Sequence, residues 1–356
     1  MAKVLMKGNE AVGAAAIKAG CKYFFGYPIT PQSELPEYMS KALPEVGGVF
    51  LQAESEIAAI NMVYGAAGTG ARVMTGSSSP GIALKQEGIS YCAGAELPCV
   101  IVNMMRGGPG LGSIQPSQAD YYQSTRGGGN GDYRTIVYAP ASVQETVDYV
   151  MEAFDKADLY RIPILIAADG MIGQMMEAVE FKERKNIELP EKDWATTGTK
   201  GKRKHNIINS LYLESELLEQ HNLKLEKKYK EIEEKEVLYE AYDIEDADVV
   251  CVAYGTTSRI VKNAIKISAK KGIKVGLIRP ITLWPYPYEI FKKINPNAKG
   301  ILTVEMSLGQ MIDDVKIAVE GKFPVYFNGR AGGMIPTPVS ILNDIEKIAG
   351  GAKQWQ

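Results

Sequence analysis

Tyr23-Phe24-Phe25-Gly26-Tyr27-Pro28-Ile29-Thr30-Pro31 holds a strand and its exit within one short stretch. The aromatic run is too short for a core helix and lacks polar alternation, so it reads as a strand covered on both faces. Pro31 restrains Thr30 to extended geometry and suits the first position of a following helix. Thr30 is therefore expected as a helix N-cap at the carboxyl end of a strand. Capping alone is the ordinary role of such a threonine. Its hydroxyl and a helix N-terminus can also receive an anion together, for example a carboxylate.

The same grammar recurs on both sides. Val49-Phe50-Leu51-Gln52, Ala71-Arg72-Val73-Met74-Thr75, Val100-Ile101-Val102 and Ile164-Leu165-Ile166 read as further buried strands, separated by helical patterns such as 55–67 and 142–156. Residues 249–253, 275–278, 301–304 and 325–327 repeat the strand pattern, with a helix expected over 258–270. Alternating strand and helix predicts two α/β domains with mainly parallel sheets. Between them, 26 of the 59 residues from Lys182 to Glu240 are charged, against 56 of the other 297. That segment reads as a solvated connector, helical over 211–219 and 224–240, that packs across both domains. The expected division is 1–181, a connector at 182–240, and 241–356.

Composition narrows the function. The chain has 356 residues, 46% of them hydrophobic, and a net charge of -2. At about 100–200 residues per domain this fits two ordinary cores. The charge balance argues against nucleic acid or an anionic membrane as partner. No apolar run approaches the roughly 18 residues a membrane span needs, and a cytoplasmic location is expected. Cys21, Cys92, Cys99 and Cys251 form no CxxC pair, so a metal or iron–sulfur site built by this chain alone is not expected. Both histidines, His205 and His221, lie in the connector, which leaves little for His-based catalysis.

Candidate chemistry concentrates where glycine does: 15 of the 36 glycines fall between Gly65 and Gly131. Parallel sheets bind ligands beyond the carboxyl ends of their strands, where glycine lets backbone come close. Glu56 opens an apolar helix after Gln52-Ala53-Glu54-Ser55. A first-turn glutamate is usually exposed and favoured by the dipole, but here it can face a low-dielectric cleft and share a proton with a ligand nitrogen. Arg106 ends a strand beside Gly107-Gly108-Pro109-Gly110-Leu111-Gly112 and is placed to clamp a carboxylate or to pair with a nearby acid. The glycine spacing fits a dinucleotide loop poorly. Ser77-Ser78-Ser79-Pro80-Gly81 is another polar turn at a strand end, while Cys92 and Cys99 suit a core.

Together, Tyr27-Pro28-Ile29-Thr30-Pro31, Glu56, Ser78-Ser79-Pro80-Gly81, Arg106 and Val304-Glu305-Met306-Ser307-Leu308-Gly309-Gln310 resemble the alpha subunit of thiamine-diphosphate-dependent 2-oxoacid:ferredoxin oxidoreductases. The resemblance covers nearly the whole chain. It implies a pyrimidine-binding thiamine-enzyme domain followed by a transketolase C-terminal-like domain. In that family Glu56 would hydrogen-bond the aminopyrimidine nitrogen and favour the imino tautomer. Thr30 and Arg106 would hold the substrate carboxylate, and Tyr27, Pro28, Ser78 and Ser79 would line the cofactor site. The implied reaction is oxidative decarboxylation of a 2-oxoacid with coenzyme A, yielding acyl-CoA, carbon dioxide and reduced ferredoxin. Ala168-Asp169-Gly170 is the nearest approach to the Gly-Asp-Gly motif that holds diphosphate through magnesium. Magnesium and iron–sulfur clusters are thus expected in partners: a thiamine-diphosphate-binding beta subunit, a gamma subunit and a ferredoxin-like subunit.

The stretch from Arg106 to Arg134 looks most like the branched-chain type, which acts on 3-methyl-2-oxobutanoate (2-oxoisovalerate). A 2-oxoglutarate type is the alternative, and would need Arg126 or Arg134 for the distal carboxylate. A lipoamide-linked oxoacid dehydrogenase beta subunit is disfavoured by where the histidines lie. A non-catalytic scaffold is the remaining rival.

Overall fold

The structure is a computed structural model that describes residues 3–183 and 187–351. From the N-terminus come β1 (Val4–Lys7), α1 (Gly8–Lys18), β2 (Tyr23–Gly26), α2 (Glu34–Glu45), β3 (Val49–Gln52) and α3 (Glu56–Gly68). Next are β4 (Val73–Ser77), α4 (Ser79–Gly94), β5 (Cys99–Met105), α5 (Tyr121–Arg126), β6 (Ile136–Tyr138) and α6 (Val143–Tyr160). β7 (Pro163–Asp169), α7 (Gly170–Gln174) and β8 (Met176–Val179) close the first half. The second contains α8 (Ser215–Lys235), β9 (Tyr239–Tyr242), β10 (Val249–Val252), α9 (Gly255–Lys270), β11 (Val275–Pro280) and β12 (Thr282–Trp284). β13 (Gly300–Glu305), α10 (Met311–Val319), β14 (Val325–Gly329) and α11 (Pro338–Ala349) complete it.

A seven-stranded sheet runs in the order β12-β6-β7-β5-β4-β2-β3, parallel except for β12. Every residue of β4, β5 and β7 is buried, as befits central strands of a parallel sheet covered on both faces. A five-stranded sheet, β14-β13-β10-β11-β9, is parallel apart from β9. The expected α/β class with mainly parallel sheets is what the chain adopts. Local chemistry sets several starts: Ser55 accepts the Ala58 N–H at α3, Ser142 that of Glu145 at α6, and Thr337 that of Ser340 at α11.

The two sheets are not sequential. β12 comes from the second half yet pairs antiparallel with β6 in the first sheet, and β9 straddles residue 240 and joins the second sheet. Buried Arg279 on β11 donates to Glu145 of α6 at 2.5 and 2.9 Å and to Glu240 at 3.0 Å, tying the halves together. Gln118 does the same near the site. It donates to the Tyr254 carbonyl at 2.9 Å and accepts from the Met306 N–H at 3.0 Å and the Thr257 hydroxyl at 3.2 Å.

The charged connector departs from its reading. One helix, α8, replaces the two expected segments, because its buried residues Leu225, Tyr229 and Ile232 recur at helical spacing without a break. It docks mainly against the first sheet's helices and β12: Glu96 pairs with Lys224 and Lys228, Glu236 with Lys156, and Tyr229 meets Trp284 edge-on. His221 is structural here, donating to the Gly94 carbonyl and stacking on Tyr212.

Burial pushes the Glu96 carboxyl up, but Lys228 and Lys224 outweigh it and hold it down at about 2. A depressed carboxylate stabilises fully above its ordinary value of 4.5 and loses that contribution as pH falls toward about 2. Glu96→Gln is expected to cost about 1–2 kcal/mol, discounted because Lys224 keeps its head in water. Thermal unfolding at pH 7 and pH 3 checks this; a wild-type midpoint at pH 7 would leave docking to the apolar contacts alone.

Candidate active site

Four adjacent parallel strands, β5-β4-β2-β3, end on the same edge of the first sheet, and all the candidate residues lie just beyond them. Tyr27, Pro28 and Thr30 follow β2, Glu56 follows β3, Ser78 and Ser79 follow β4, and Arg106 follows β5. That is where an open α/β sheet offers strand ends and helix N-termini to a ligand.

Glu56 is the first residue of α3 and is 6% exposed, with Ser55 capping the helix behind it. Its carboxylate lies against α4, so closely that a Cβ on Gly81 would stand 2.7 Å from Oε1 and 2.1 Å from Ser77 Oγ. A side chain at that position would displace the Ser77 hydroxyl and the Glu56 carboxylate. Among the described residues no side chain or N–H donates to that carboxylate, whose oxygens keep some contact with solvent and so lie open to an incoming ligand N–H.

Thr30 is not a helix cap. The Thr30–Pro31 bond is cis, and α2 begins at Glu34 with Ser33 before it. Thr30 instead sits in an exposed turn whose backbone is held from both sides. Its carbonyl accepts from Arg106 Nη1 at 2.7 Å, and the next carbonyl, Pro31, accepts from Asn9 Nδ2 at 2.8 Å and Gln174 Nε2 at 2.9 Å. Tyr27 and Pro28 are exposed on the same turn.

Arg106, 6% exposed, does not hold out a free fork. Nη1 donates to Thr30 and Nη2 to the Leu111 carbonyl at 3.0 Å, while buried Nε has no partner. The guanidinium thus braces the Thr30 turn against the glycine loop. Gly112, at φ +62°, closes that loop so tightly that a Cβ would stand 1.8 Å from the Gly107 oxygen.

Ser78 and Ser79 are buried and turned inward. Ser78 donates to the Met104 carbonyl at 2.7 Å. Ser79 receives the Arg106 N–H at 2.9 Å and donates to Asp120 at 2.6 Å, while its own N–H goes to Asn103 at 3.0 Å. Asn103 Nδ2 also donates to Asp120 at 2.9 Å, and burial raises the Asp120 carboxyl above its usual range. Asn103 and Asp120 carry no role in the sequence reading. The signal was one polar residue inside the apolar run Val100–Met105.

Asp169 accepts from the N–H groups of Met171 and Ile172 as the N-cap of α7, so its carboxylate is engaged by this chain's own backbone. Among the described residues no group of three or more His, Cys, Asp or Glu side chains is placed to hold a metal. The four cysteines are buried free thiols. Glu305 is likewise structural, accepting from the N–H groups of Gln310, Met311 and Ile312 at the start of α10, with Leu308 standing 88% exposed beside it. Arg126 is held by both oxygens of Asp314 at 2.7 and 3.0 Å. With Arg134 it lines a groove of about 810 Å³ that includes none of Thr30, Glu56 or Arg106.

Comparison with known proteins agrees with this layout. Residues 14–241 match the family model described as pyruvate flavodoxin/ferredoxin oxidoreductase, thiamine diphosphate-binding, and residues 247–341 match pyruvate:ferredoxin oxidoreductase core domain II. The ketoisovalerate oxidoreductase subunit VorB of Methanothermobacter marburgensis is 51% identical over 98% of this chain and 99% of its own. The 2-oxoglutarate synthase subunit KorA of Methanocaldococcus jannaschii is 37% identical over 94% of this chain and 96% of its own. A solved 2-oxoglutarate:ferredoxin oxidoreductase from Magnetococcus marinus, with 2-oxoglutarate, coenzyme A and succinyl-CoA bound, superposes with a TM-score of 0.85 at 27% identity. It covers 98% of this chain, which spans 65% of that one. The chain belongs to the pyruvate flavodoxin/ferredoxin oxidoreductase family, carrying its thiamine-diphosphate-binding domain and its core domain II.

Proposed function

We propose that this chain is a subunit of a 2-oxoacid:ferredoxin oxidoreductase that converts 2-oxoisovalerate, coenzyme A and oxidised ferredoxin to acyl-CoA, carbon dioxide and reduced ferredoxin. The observation that carries the chemistry is the buried Glu56 carboxylate, left without a donor at the edge where four strands end. Thiamine diphosphate, when bound, supplies the carbanion chemistry. Glu56 would hold its pyrimidine and share a proton at Oε1. The turn of Tyr27, Pro28 and Thr30 would flank that ring, and Ser78 and Ser79 would support the floor beneath it. Thr30 and the unpaired Nε of Arg106 would orient the substrate carboxylate, with Arg106 acting as much through the turn it braces as through direct contact.

The branched-chain substrate is supported by the 51% identity to a ketoisovalerate subunit against 37% to a 2-oxoglutarate subunit. Side-chain chemistry supports it too. The cleft beside Thr30, about 750 Å³, is lined by Pro31, Ile114, Met171, Met175 and Ile335, and its one charged lining residue is Glu34. A distal carboxylate would meet no free cation there, since Lys7 is already paired with Glu34 at 3.2 Å and Arg126 is occupied by Asp314. Apolar pockets separate similar side chains by only about 1–3 kcal/mol, so several branched 2-oxoacids should be turned over.

The metal-bound diphosphate half of the site would come from a beta subunit, and the electron path from an iron–sulfur subunit, with a gamma subunit completing the complex. No helix among the described residues is long and apolar enough to cross a membrane, in keeping with an enzyme that works in the cytoplasm.

Dye reduction by the complex purified anaerobically tests the assignment. Reduction should require coenzyme A and be fastest with 2-oxoisovalerate; a maximum with 2-oxoglutarate would move the specificity, and no reduction with any 2-oxoacid would favour a scaffold. Glu56→Gln should abolish turnover while the complex still assembles, and wild-type turnover would remove Glu56 from the chemistry. Arg106→Ala should weaken substrate capture by roughly 2–5 kcal/mol, read as kcat/KM; unchanged kinetics would place the carboxylate clamp elsewhere. By itself this chain should bind thiamine diphosphate poorly, and tight magnesium-dependent binding in a titration would contradict a shared site.

A further inference from the structure

The face of α4 that meets α3 carries a lysine among small residues. Gly81, Lys85, Gly88 and Cys92 recur at helical spacing along it. Opposite them, Gly81 lies against Glu56, a Cβ on Gly88 would stand 2.5 Å from Ile60, and Cys92 lies near Tyr64. Lys85 therefore rises between Gly81 and Gly88, toward the first turn of α3. Its side chain is 0% exposed and Nζ has no hydrogen-bond partner. A buried ammonium without a partner is costly, and an opposite charge nearby is what offsets it.

Glu56 is that charge. The rest of the buried face of α3 is Ala59, Ile60, Val63 and Ala67, with Tyr64 two turns along and pushed up by burial. β4 alternates so that Thr75 shares a face with Ser77, which meets α4 at Gly81; both contribute only buried hydroxyls, themselves without partners. On α4, Gln86 turns away to Tyr133 and Gly128, and Glu87 is exposed. Burial drives the Lys85 ammonium down to about 8, and Glu56 works against that shift.

Because α4 starts at the open edge and runs away from it, Lys85 lies more than a turn deeper than Gly81. We propose that Lys85 is a positioning residue for Glu56: its ammonium stands behind the carboxylate and biases a proton shared there outward, from Glu56 Oε1 onto the ligand nitrogen. The cation is nearer the carboxylate than the atom beyond it, so moving the proton outward gains more attraction than repulsion. The inference rests on Glu56 being the proton-sharing group. The bias is present while Lys85 is protonated and fades as pH rises through about 8.

Infrared difference spectra of the assembled complex, stripped of thiamine diphosphate, test this without turnover. The carboxylate stretch of Glu56 is assigned as the band lost in Glu56→Gln. It should shift in Lys85→Met, which removes the neighbouring charge, and keep its wild-type frequency in Lys85→Arg. In the loaded complex, Lys85→Met should lower kcat about tenfold with KM for the 2-oxoacid within about twofold. Wild-type kcat should decline above about pH 8, a limb that Lys85→Arg shifts upward because guanidinium keeps its proton. A wild-type carboxylate band and pH profile in Lys85→Met would overturn the proposal. Should Lys85→Met fail to assemble, a basic limb at the same pH in wild type and Lys85→Arg would overturn it equally. Wild-type turnover in Glu56→Gln would instead remove the reading of Glu56 on which it rests.

Discussion

The half-buried carboxylate of Asp120 is the knot on which the open edge depends. It accepts from Ser79 at the start of α4 and from Asn103 on β5, two strand ends that carry no covalent link to each other nearby. Ser79 in turn receives the Arg106 N–H, so the position of Arg106 follows from the same knot. Arg106 then braces the Thr30 turn, and the chain after β5 carries Gln118 into the second domain. A carboxylate partly withdrawn from water is favourable only with its hydrogen bonds in place. The arrangement is therefore cooperative: losing one partner leaves a partly buried charge under-satisfied and frees several site residues together.

Around that knot the polar groups divide by what they face. Ser78, Ser79, Asn103, Asp120 and Asp169 are satisfied within the chain and serve as scaffolding. Lys85 Nζ and Arg106 Nε are buried without hydrogen-bond partners among the described residues, and the Glu56 carboxylate beside them receives no hydrogen bond from those residues. Native interiors rarely leave such groups open without a reason. Here the three fall in one region, between α3, α4 and the glycine loop, which is where a ligand and its proton would be received.

Much of the edge is legible in the sequence. Parallel strands covered on both faces need continuous apolar runs, and Val100–Val102 and Ile164–Ile166 announce them. Glu56 was legible because an acidic residue heading an apolar helix is conspicuous. Thr30 was misread as a cap because a proline in sequence does not reveal where its helix starts, and α2 begins only at Glu34. Arg106 was legible as the arginine at a strand end beside a glycine loop but not as a brace, since its acceptors are backbone carbonyls that no side-chain pattern marks. Lys85 passed unnoticed for the opposite reason: one lysine on a helix looks solvated until its neighbours are known to be Gly81 and Gly88 packed on α3.

Alone, the sequence determined the α/β class, the alternation of strand and helix, the charged character of the connector and the identity of the edge residues. These are local properties of hydrophobic period, glycine placement and charge. Tertiary structure decided the strand order, the exchange of β12 into the first sheet, the docking of α8 as one helix, and the Arg279 and Gln118 ties between the halves. It also decided which polar groups face each other and which, among the described residues, are left without a partner. Pairing between distant segments depends on how whole surfaces fit once buried, and no short window of residues encodes that fit.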